Sequence, residues 1–168
     1  DSAFTMPVVQ DGDDVNAAFF FRIKPIEAID AAAVAAEAVA RSAQKIGAVQ
    51  QESGKMPVII SNEQVCTMMS AFLSAFSADA AQKGLSLLAG KEGEKIASDC
   101  VTLIDDPFYP DSPVKMPFDA EGVATREKTV IENGELKTLL HNRKTAKKAG
   151  VSTTANASKH SYADSISI

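Results

Sequence analysis

The stretch FDAEGVATREKTVIENGELKTLL, residues 118–140, decides the fold expected for this chain. Its second half predicts a β-hairpin over 125–140, because Asn133 and Gly134 supply the positive φ angles that a two-residue type I′ turn requires. The first half places the acidic, glycine-containing turn FDAEG a short distance before that hairpin. The stretch therefore predicts antiparallel β structure joined by tight turns.

A helix is expected on each side of this stretch. Downstream, residues 143–149 predict a short helix that ends at Gly150. Upstream, 61–83 is the clearest helix of the chain, with a candidate capping box at its start and Gly84 at its end. Its apolar residues recur at helical spacing and are expected to be buried together: Val65, Met68, Met69, Phe72, Leu73 and Phe76.

The rest of the chain adds short strands and one Ala-rich helix. Strands are expected over 3–9, 16–23, 56–61 and 98–106, the first two joined by a turn at Asp11-Gly12. A helix is expected over 25–47, with Pro25 in its first turn, a Glu37–Arg41 pair, and Ala32, Val39 and Ile46 near one stripe. Strands and helices do not alternate regularly, so the sequence favours an α+β fold of mixed helices and antiparallel strands.

Composition excludes several classes of function. The net charge of −5 gives no electrostatic support for binding nucleic acid. The longest Ala-rich stretch, 28–40, contains Asp30 and Glu37, so no membrane-spanning segment is expected. Two isolated cysteines, Cys66 and Cys100, make no disulfide framework and favour the reducing cytoplasm.

Familiar catalytic patterns are absent from the sequence. His141 and His160 are the only histidines, and neither has a second His or Cys at metal-ligand spacing. Neither a G-x-S-x-G elbow nor a phosphate-binding glycine motif occurs. Surface or hydrogen-bonded roles are therefore expected for both histidines.

From residue 57 onward the sequence resembles the TldD/PmbA family, whose members were once called modulators of DNA gyrase. The resemblance rests on four stretches that agree in order and spacing: PVIIS (57–61), FLSAFSADAAQKGLSLLAGKEGEKIAS (72–98), MPFDAEGVATREKTVIENGELKTLL (116–140) and RKTAKKAGVSTTANAS (143–158). It implies that residues 1–50 end the family's middle α/β domain and that 57–168 begin its β-rich C-terminal domain. The polar segment 51–56 is then the linker. The start at Asp1 and the strand-like end SISI predict a fragment of a longer protein.

The resemblance also implies what residues 73–78, within the helix expected over 61–83, replace. TldD-type members of the family are similar to zinc peptidases with a His-Glu-x-x-x-His helix, and PmbA-type members, also called TldE, lack it. By alignment, the histidine positions hold Leu73 and Ala78, and the glutamate position holds Ser74. Leu and Ala have no lone pair to give to zinc, and a serine hydroxyl is a poor base near neutral pH. We expect no cofactor in this chain, with zinc only in a TldD-type partner.

Three polar residues are the candidate substrate-binding residues. Asp119 and Glu121 are two carboxylates in the FDAEG turn, and Asn156 lies in STTANAS. The family usually carries glycines in this loop, and here Ala155, Ser158 and Lys159 stand at those places. The alternative for Asp119 is a purely structural role, in which it accepts N–H bonds of its own turn.

These observations predict a cytoplasmic PmbA-type subunit that supports peptide proteolysis by a TldD-type partner. The expected assembly is a homo- or heterodimer acting on a peptide or unfolded polypeptide, without nucleic acid or membrane. Two alternatives stay open. The protein could be a metallopeptidase in its own right with site residues outside this fragment, or a non-enzymatic binding modulator.

Overall fold

The computed structural model describes residues 1–112 and 114–168. The chain divides into two compact units, residues 1–57 and 58–168. Helices and antiparallel sheets occur together, so the α+β class is confirmed. The assignment of 1–50, 51–56 and 57–168 to a middle domain, a linker and a C-terminal domain stays a prediction.

The first unit is built on paired short strands. Strand β1 (Ser2–Thr5) pairs with β4 (Phe20–Ile23), and β2 (Val8–Asp11) pairs with β3 (Asp14–Ala17), all antiparallel. The turn between β2 and β3 contains Gly12 at φ 58°, as expected for a hairpin at this place.

The single strands expected over 3–9 and 16–23 are wrong, because each is interrupted. Proline has no N–H to donate, and Pro7 stands at the first interruption. At both interruptions the backbone is hydrogen-bonded to the side chain of Ser42. Its hydroxyl donates to the Pro7 carbonyl (3.1 Å) and accepts the Ala18 N–H (2.9 Å).

Helix α1 (Ala31–Ala43) is shorter than the helix expected over 25–47. Its N-cap is Asp30, whose side chain accepts the Ala33 N–H at 3.1 Å, and a separate 3-10 turn precedes it. Its buried face is not the expected stripe of Ala32, Val39 and Ile46. The buried residues are Val34, Ala38 and Ser42, with Phe20 of β4 packed on the first two. The expected Glu37–Arg41 pair forms at 2.7 Å.

The second unit begins with exposed backbone. The buried strand expected over 56–61 is wrong: these residues are in no strand, and Ile59 is fully exposed. A strand needs a hydrogen-bonded neighbour, and none of the described strands pairs with this segment.

The helix expected over 61–83 is broken into three parts. Helix α2 (Asn62–Phe72) is capped by Ser61, a 3-10 turn covers Leu73–Phe76, and α3 (Ala78–Gln82) follows. The chain leaves helical geometry at Ser77 (φ −68°, ψ 121°) to form a parallel bridge with Leu140. Backbone bonds from Ala78 N to Leu140 O (2.9 Å) and from Leu140 N to Phe76 O (2.8 Å) make that bridge.

A three-stranded antiparallel sheet provides the centre of the second unit. Strand β5 (Leu103–Asp105) pairs with β6 (Lys128–Glu132), which pairs with β7 (Glu135–Leu136). Asn133 (φ 49°) and Gly134 (φ 82°) form the β6–β7 turn, which confirms the predicted hairpin. The strand expected over 98–106 shortens to the three residues of β5. The core under the sheet is formed by Phe76, Ala78, Val130, Ile131, Leu136 and Leu139.

Helix α4 (Arg143–Ala149) follows the sheet as predicted. Asn142 and Thr145 form a reciprocal capping box at its start, and Gly150 ends it at φ 72°. Within residues 1–112 and 114–168, no helix combines the length and the apolar character needed to cross a membrane.

Candidate functional site

A cleft of about 400 Å³ lies in the second unit, beside the end of β5. It is bounded by the segment after β5, by the start of β6 and by the loop after α4. Two of the three predicted substrate-binding residues, Asp119 and Asn156, line it, and Glu121 does not. Its principal lining residues are Asp105, Met116, Asp119, Lys128, Ala155 and Asn156.

One carboxylate oxygen organises the polar wall of the cleft. Oδ2 of Asp105 accepts from Lys128 Nζ at 2.8 Å and from Asn156 Nδ2 at 2.6 Å. Asp105 and Lys128 are register partners on β5 and β6, and the Lys128 side chain is only 10% exposed. Lys128 also donates to the Arg126 carbonyl at 3.1 Å. Sequence reasoning missed both residues of this pair, because their contact depends on strand register.

Asp119 is occupied by backbone donors. Its Oδ1 accepts from Glu121 N and Val123 N, both at 2.9 Å, and its Oδ2 accepts from Ala157 N at 3.1 Å. The residue is 4% exposed. Three N–H donors stabilise the buried charge, so Asp119 closes its own turn and attaches that turn to the loop after α4.

Glu121 lies at the start of α4 instead of in the cleft. Its Oε2 accepts the Arg143 N–H at 2.7 Å. That N–H belongs to the first residue of the helix, where backbone donors have no partner within the helix. Glu121 therefore joins the FDAEG turn to α4.

Asn156 retains an unpaired polar atom. Its Nδ2 donates to Asp105, whereas its Oδ1 is buried and has no hydrogen-bond partner. The preceding residue, Ala155, has φ 57°, a backbone angle that residues other than glycine seldom adopt. A strained residue beside an unpaired acceptor is a pattern associated with functional sites.

His141 lies in the same unit, beside a smaller cavity of about 180 Å³ that Glu92 also lines. It is 4% exposed, and its Nδ1 has no hydrogen-bond partner. Its backbone is bonded to the loop after α4, with N donating to Thr154 Oγ1 at 2.6 Å. Burial lowers the pKa of His141, and the negative charge of Glu92 opposes that shift.

The positions assigned to the zinc helix do not fit a zinc ion. Leu73 and Ser74 are exposed on the 3-10 turn, and Ala78 is buried at the start of α3. Together they offer one hydroxyl and no imidazole, thiolate or carboxylate. Among the described residues, no three His, Cys, Asp or Glu side chains are grouped closely enough to hold a metal.

The comparisons with known sequences agree on one family. The family model described as "PmbA/TldA metallopeptidase C-terminal domain" matches residues 53–168. A metalloprotease of Archaeoglobus fulgidus is 40% identical over 62% of this chain and 25% of its own length. Two Haemophilus influenzae proteins, a TldD homologue and a PmbA homologue, are each 31% identical, over 80% and 61% of this chain. The chain spans about a quarter of the length of these relatives (25%, 28% and 23%).

Solved structures agree with the sequence comparison. A Thermotoga maritima protein described as a candidate modulator of a DNA gyrase superposes with a TM-score of 0.88 at 36% identity, over 94% of this chain and 37% of its own. TldE of Thermococcus kodakarensis superposes with a TM-score of 0.84 at 29% identity, over 99% and 38%. Sequence and structure together place this chain in the PmbA/TldD metallopeptidase family.

Proposed function

We propose that this chain is part of a PmbA-type subunit, which holds no zinc and supports peptide cleavage by a TldD-type partner. The observation that carries the proposal is the donor set at the zinc-helix positions. Leu73 and Ala78 have no lone pair to give, and Ser74 is neither a ligand zinc favours nor an effective base. The break at Ser77 separates these positions between a 3-10 turn and α3.

The similarity to TldE of Thermococcus kodakarensis supports the PmbA type. The names of the relatives alone do not separate the two types, since TldD and PmbA homologues of Haemophilus influenzae match at equal identity. The assignment therefore rests on the residues at 73, 74 and 78.

In this proposal the subunit contributes through contact with the partner and the substrate. The framework around the substituted positions is intact: the Ser77–Leu140 bridge, the hairpin and the FDAEG turn are all formed. The cleft beside Asp105 offers a place for part of a peptide, and exposed sheet edges bind extended peptides through backbone hydrogen bonds. The proposed location is the cytoplasm.

The experiment mixes the purified full-length protein with a TldD-type protein of the same organism and measures cleavage of an unstructured peptide. We expect cleavage by the mixture, inhibition by a chelator, and little cleavage by either protein alone. Ser74→Ala should leave the activity of the mixture unchanged, because the proposal gives that hydroxyl no role.

Two outcomes contradict the proposal in different ways. Equal cleavage by the partner alone removes the reason to assign this chain a role in proteolysis. Chelator-sensitive cleavage by this protein alone indicates a metallopeptidase with ligands elsewhere in the full-length protein.

A further inference from the structure

We propose that the cleft beside Asp105 binds a primary ammonium group carried on a short apolar stem. The inference rests on the proposed function only in taking a peptide as the carrier of that ammonium group. The binding chemistry itself follows from the hydrogen-bonding state of two side chains and from the charges that line the cleft.

The first side chain is Asp105, whose carboxylate is used on one oxygen only. Oδ2 accepts from both Lys128 and Asn156, whereas Oδ1 accepts no hydrogen bond from the described residues. A carboxylate offers about four lone-pair sites. The side chain is 35% exposed, and Asp105 lines the cleft.

The second side chain is Asn156, whose amide orientation is set by its bond to Asp105. Because Nδ2 donates to that carboxylate, Oδ1 is the free end of the amide and acts only as an acceptor. It has no donor in this conformation and is closed off from water. A ligand that satisfies this acceptor must supply an N–H or O–H.

Charge decides between a cation and a neutral donor. The described residues that line the cleft include three acidic ones, Asp105, Asp106 and Asp119, and one basic one, Lys128. The field inside therefore favours a positive ligand and repels an anion. An ammonium group has three N–H donors, enough to serve both Asp105 Oδ1 and Asn156 Oδ1.

The stem of the ligand has an apolar wall to contact. Pro107, Met116 and Ala155 line the cleft next to its polar side. An alkyl chain carrying a terminal ammonium group matches this arrangement, and in a peptide a lysine side chain supplies one. The N-terminal residue supplies an ammonium group next to its own side chain. The same chemistry serves both sources.

Calorimetric titration of the full-length protein with n-butylammonium tests the binding chemistry without any peptide. n-Butanol and butyrate, of similar size, are the neutral and anionic comparisons. We expect saturable binding of n-butylammonium, at least tenfold weaker binding of n-butanol, and none of butyrate. Equal binding of the amine and the alcohol, or no binding of the amine to folded protein, overturns the inference.

Variants assign the binding to this cleft. Asp105→Asn and Asn156→Ala should each weaken n-butylammonium binding at least fivefold. Glu127→Gln is the matched control, because it removes one carboxylate of an exposed residue outside the cleft, and it should change affinity less than twofold. If circular dichroism shows that the Asp105→Asn protein is not folded, Asn156→Ala alone provides the test. Unchanged affinity in a folded Asn156→Ala protein contradicts the inference.

Two peptides distinguish the sources. Acetyl-Ala-Lys-Ala-amide offers only a side-chain ammonium, and Ala-Ala-Ala-amide offers only a terminal one. Competition of either peptide with n-butylammonium identifies the source, and competition by neither overturns the assignment to peptides. Loss of the mixed peptidase activity with n-butylammonium binding retained would instead count against the proposed function alone.

Discussion

At the scale of single residues, the two carboxylates of one turn, Asp119 and Glu121, have different hydrogen-bond partners. Asp119 accepts three backbone N–H groups, and Glu121 accepts the first N–H of α4. Both therefore hold segments of chain together. The sequence alternatives for Asp119 were a substrate contact or a turn acceptor, and the hydrogen bonds favour the second.

Gly134 is constrained both by its positive φ and by the backbone atoms that lie close to it. It has φ 82°, and a Cβ built on it would lie 2.3 Å from the Ala97 carbonyl oxygen. Gly122 has a similar φ of 72° but nothing within 4 Å of such a Cβ. Both substitutions to Ala should cost about 1–2 kcal/mol through the positive φ. Gly134→Ala should lose about 1–3 kcal/mol more through overpacking.

Urea unfolding of the two glycine variants measures this difference. Equal losses of unfolding free energy in Gly122→Ala and Gly134→Ala would show that the contact with Ala97 relaxes without cost.

His141 makes the stability of the protein depend on pH. Burial lowers its pKa below the unfolded value of about 6.5, so the unfolded chain binds the proton more readily. The stabilisation from neutral His141 is therefore present above pH 6.5 and is lost as the pH falls through 6.5 towards the folded pKa. One proton contributes a slope of up to about 1.4 kcal/mol per pH unit.

Unfolding free energies between pH 7.5 and 5.5 check this effect. The slope should be smaller in His141→Gln and unchanged in the matched control His160→Gln, whose histidine is exposed. An identical slope in all three proteins would assign the pH dependence to other groups.

At the scale of elements, the interruption at Ser77 decides which apolar residues are buried. Helical periodicity alone predicted that Met68, Phe72, Leu73 and Phe76 share one buried face. In the structure Phe76 is 6% exposed, whereas Phe72 is 60% exposed. The 3-10 turn and the bridge to Leu140 turn Phe76 into the core. In α2 before it, Met69 is partly buried against this core, whereas Val65, Met68 and Phe72 are exposed.

Two phenylalanines four positions apart give a matched pair for this element. Phe76→Ala should lower the unfolding free energy by about 3–5 kcal/mol, as for a buried aromatic side chain. Phe72→Ala should change it by less than about 0.5 kcal/mol, as for an exposed one. Chemical denaturation of the two variants of this chain provides the measurement, and a large loss for Phe72→Ala would show that its ring is covered.

At the scale of the whole molecule, the absence of a metal is the property that the proposed function requires. The purified full-length protein should contain well under one zinc per chain after dialysis, because Leu73, Ser74 and Ala78 offer no suitable ligand. Elemental analysis measures the zinc content, and a TldD-type protein purified in the same way is the positive control. Stoichiometric zinc that survives dialysis would contradict the prediction.

The sequence by itself determined the family, the α+β class and the local features that depend on near neighbours. The turn at Asn133-Gly134, the helix at 143–149 and the ends at Gly84 and Gly150 were predicted correctly. Each depends on the φ angle of a glycine or on a local cap, and such preferences act within a few residues. The assignment of positions 73, 74 and 78 to the family's zinc helix stays a prediction.

The tertiary structure alone decided where those elements stop and what they bring together. Residues 56–61 have strand composition but pair with no other segment in the described part of the chain. Ser77 leaves its helix because Leu140 supplies a partner 63 positions away. The Asp105–Lys128–Asn156 cluster joins three distant segments through strand register and a loop. Periodicity records the preference of a segment for burial, whereas the partner that satisfies its hydrogen bonds is set by contacts distant in sequence.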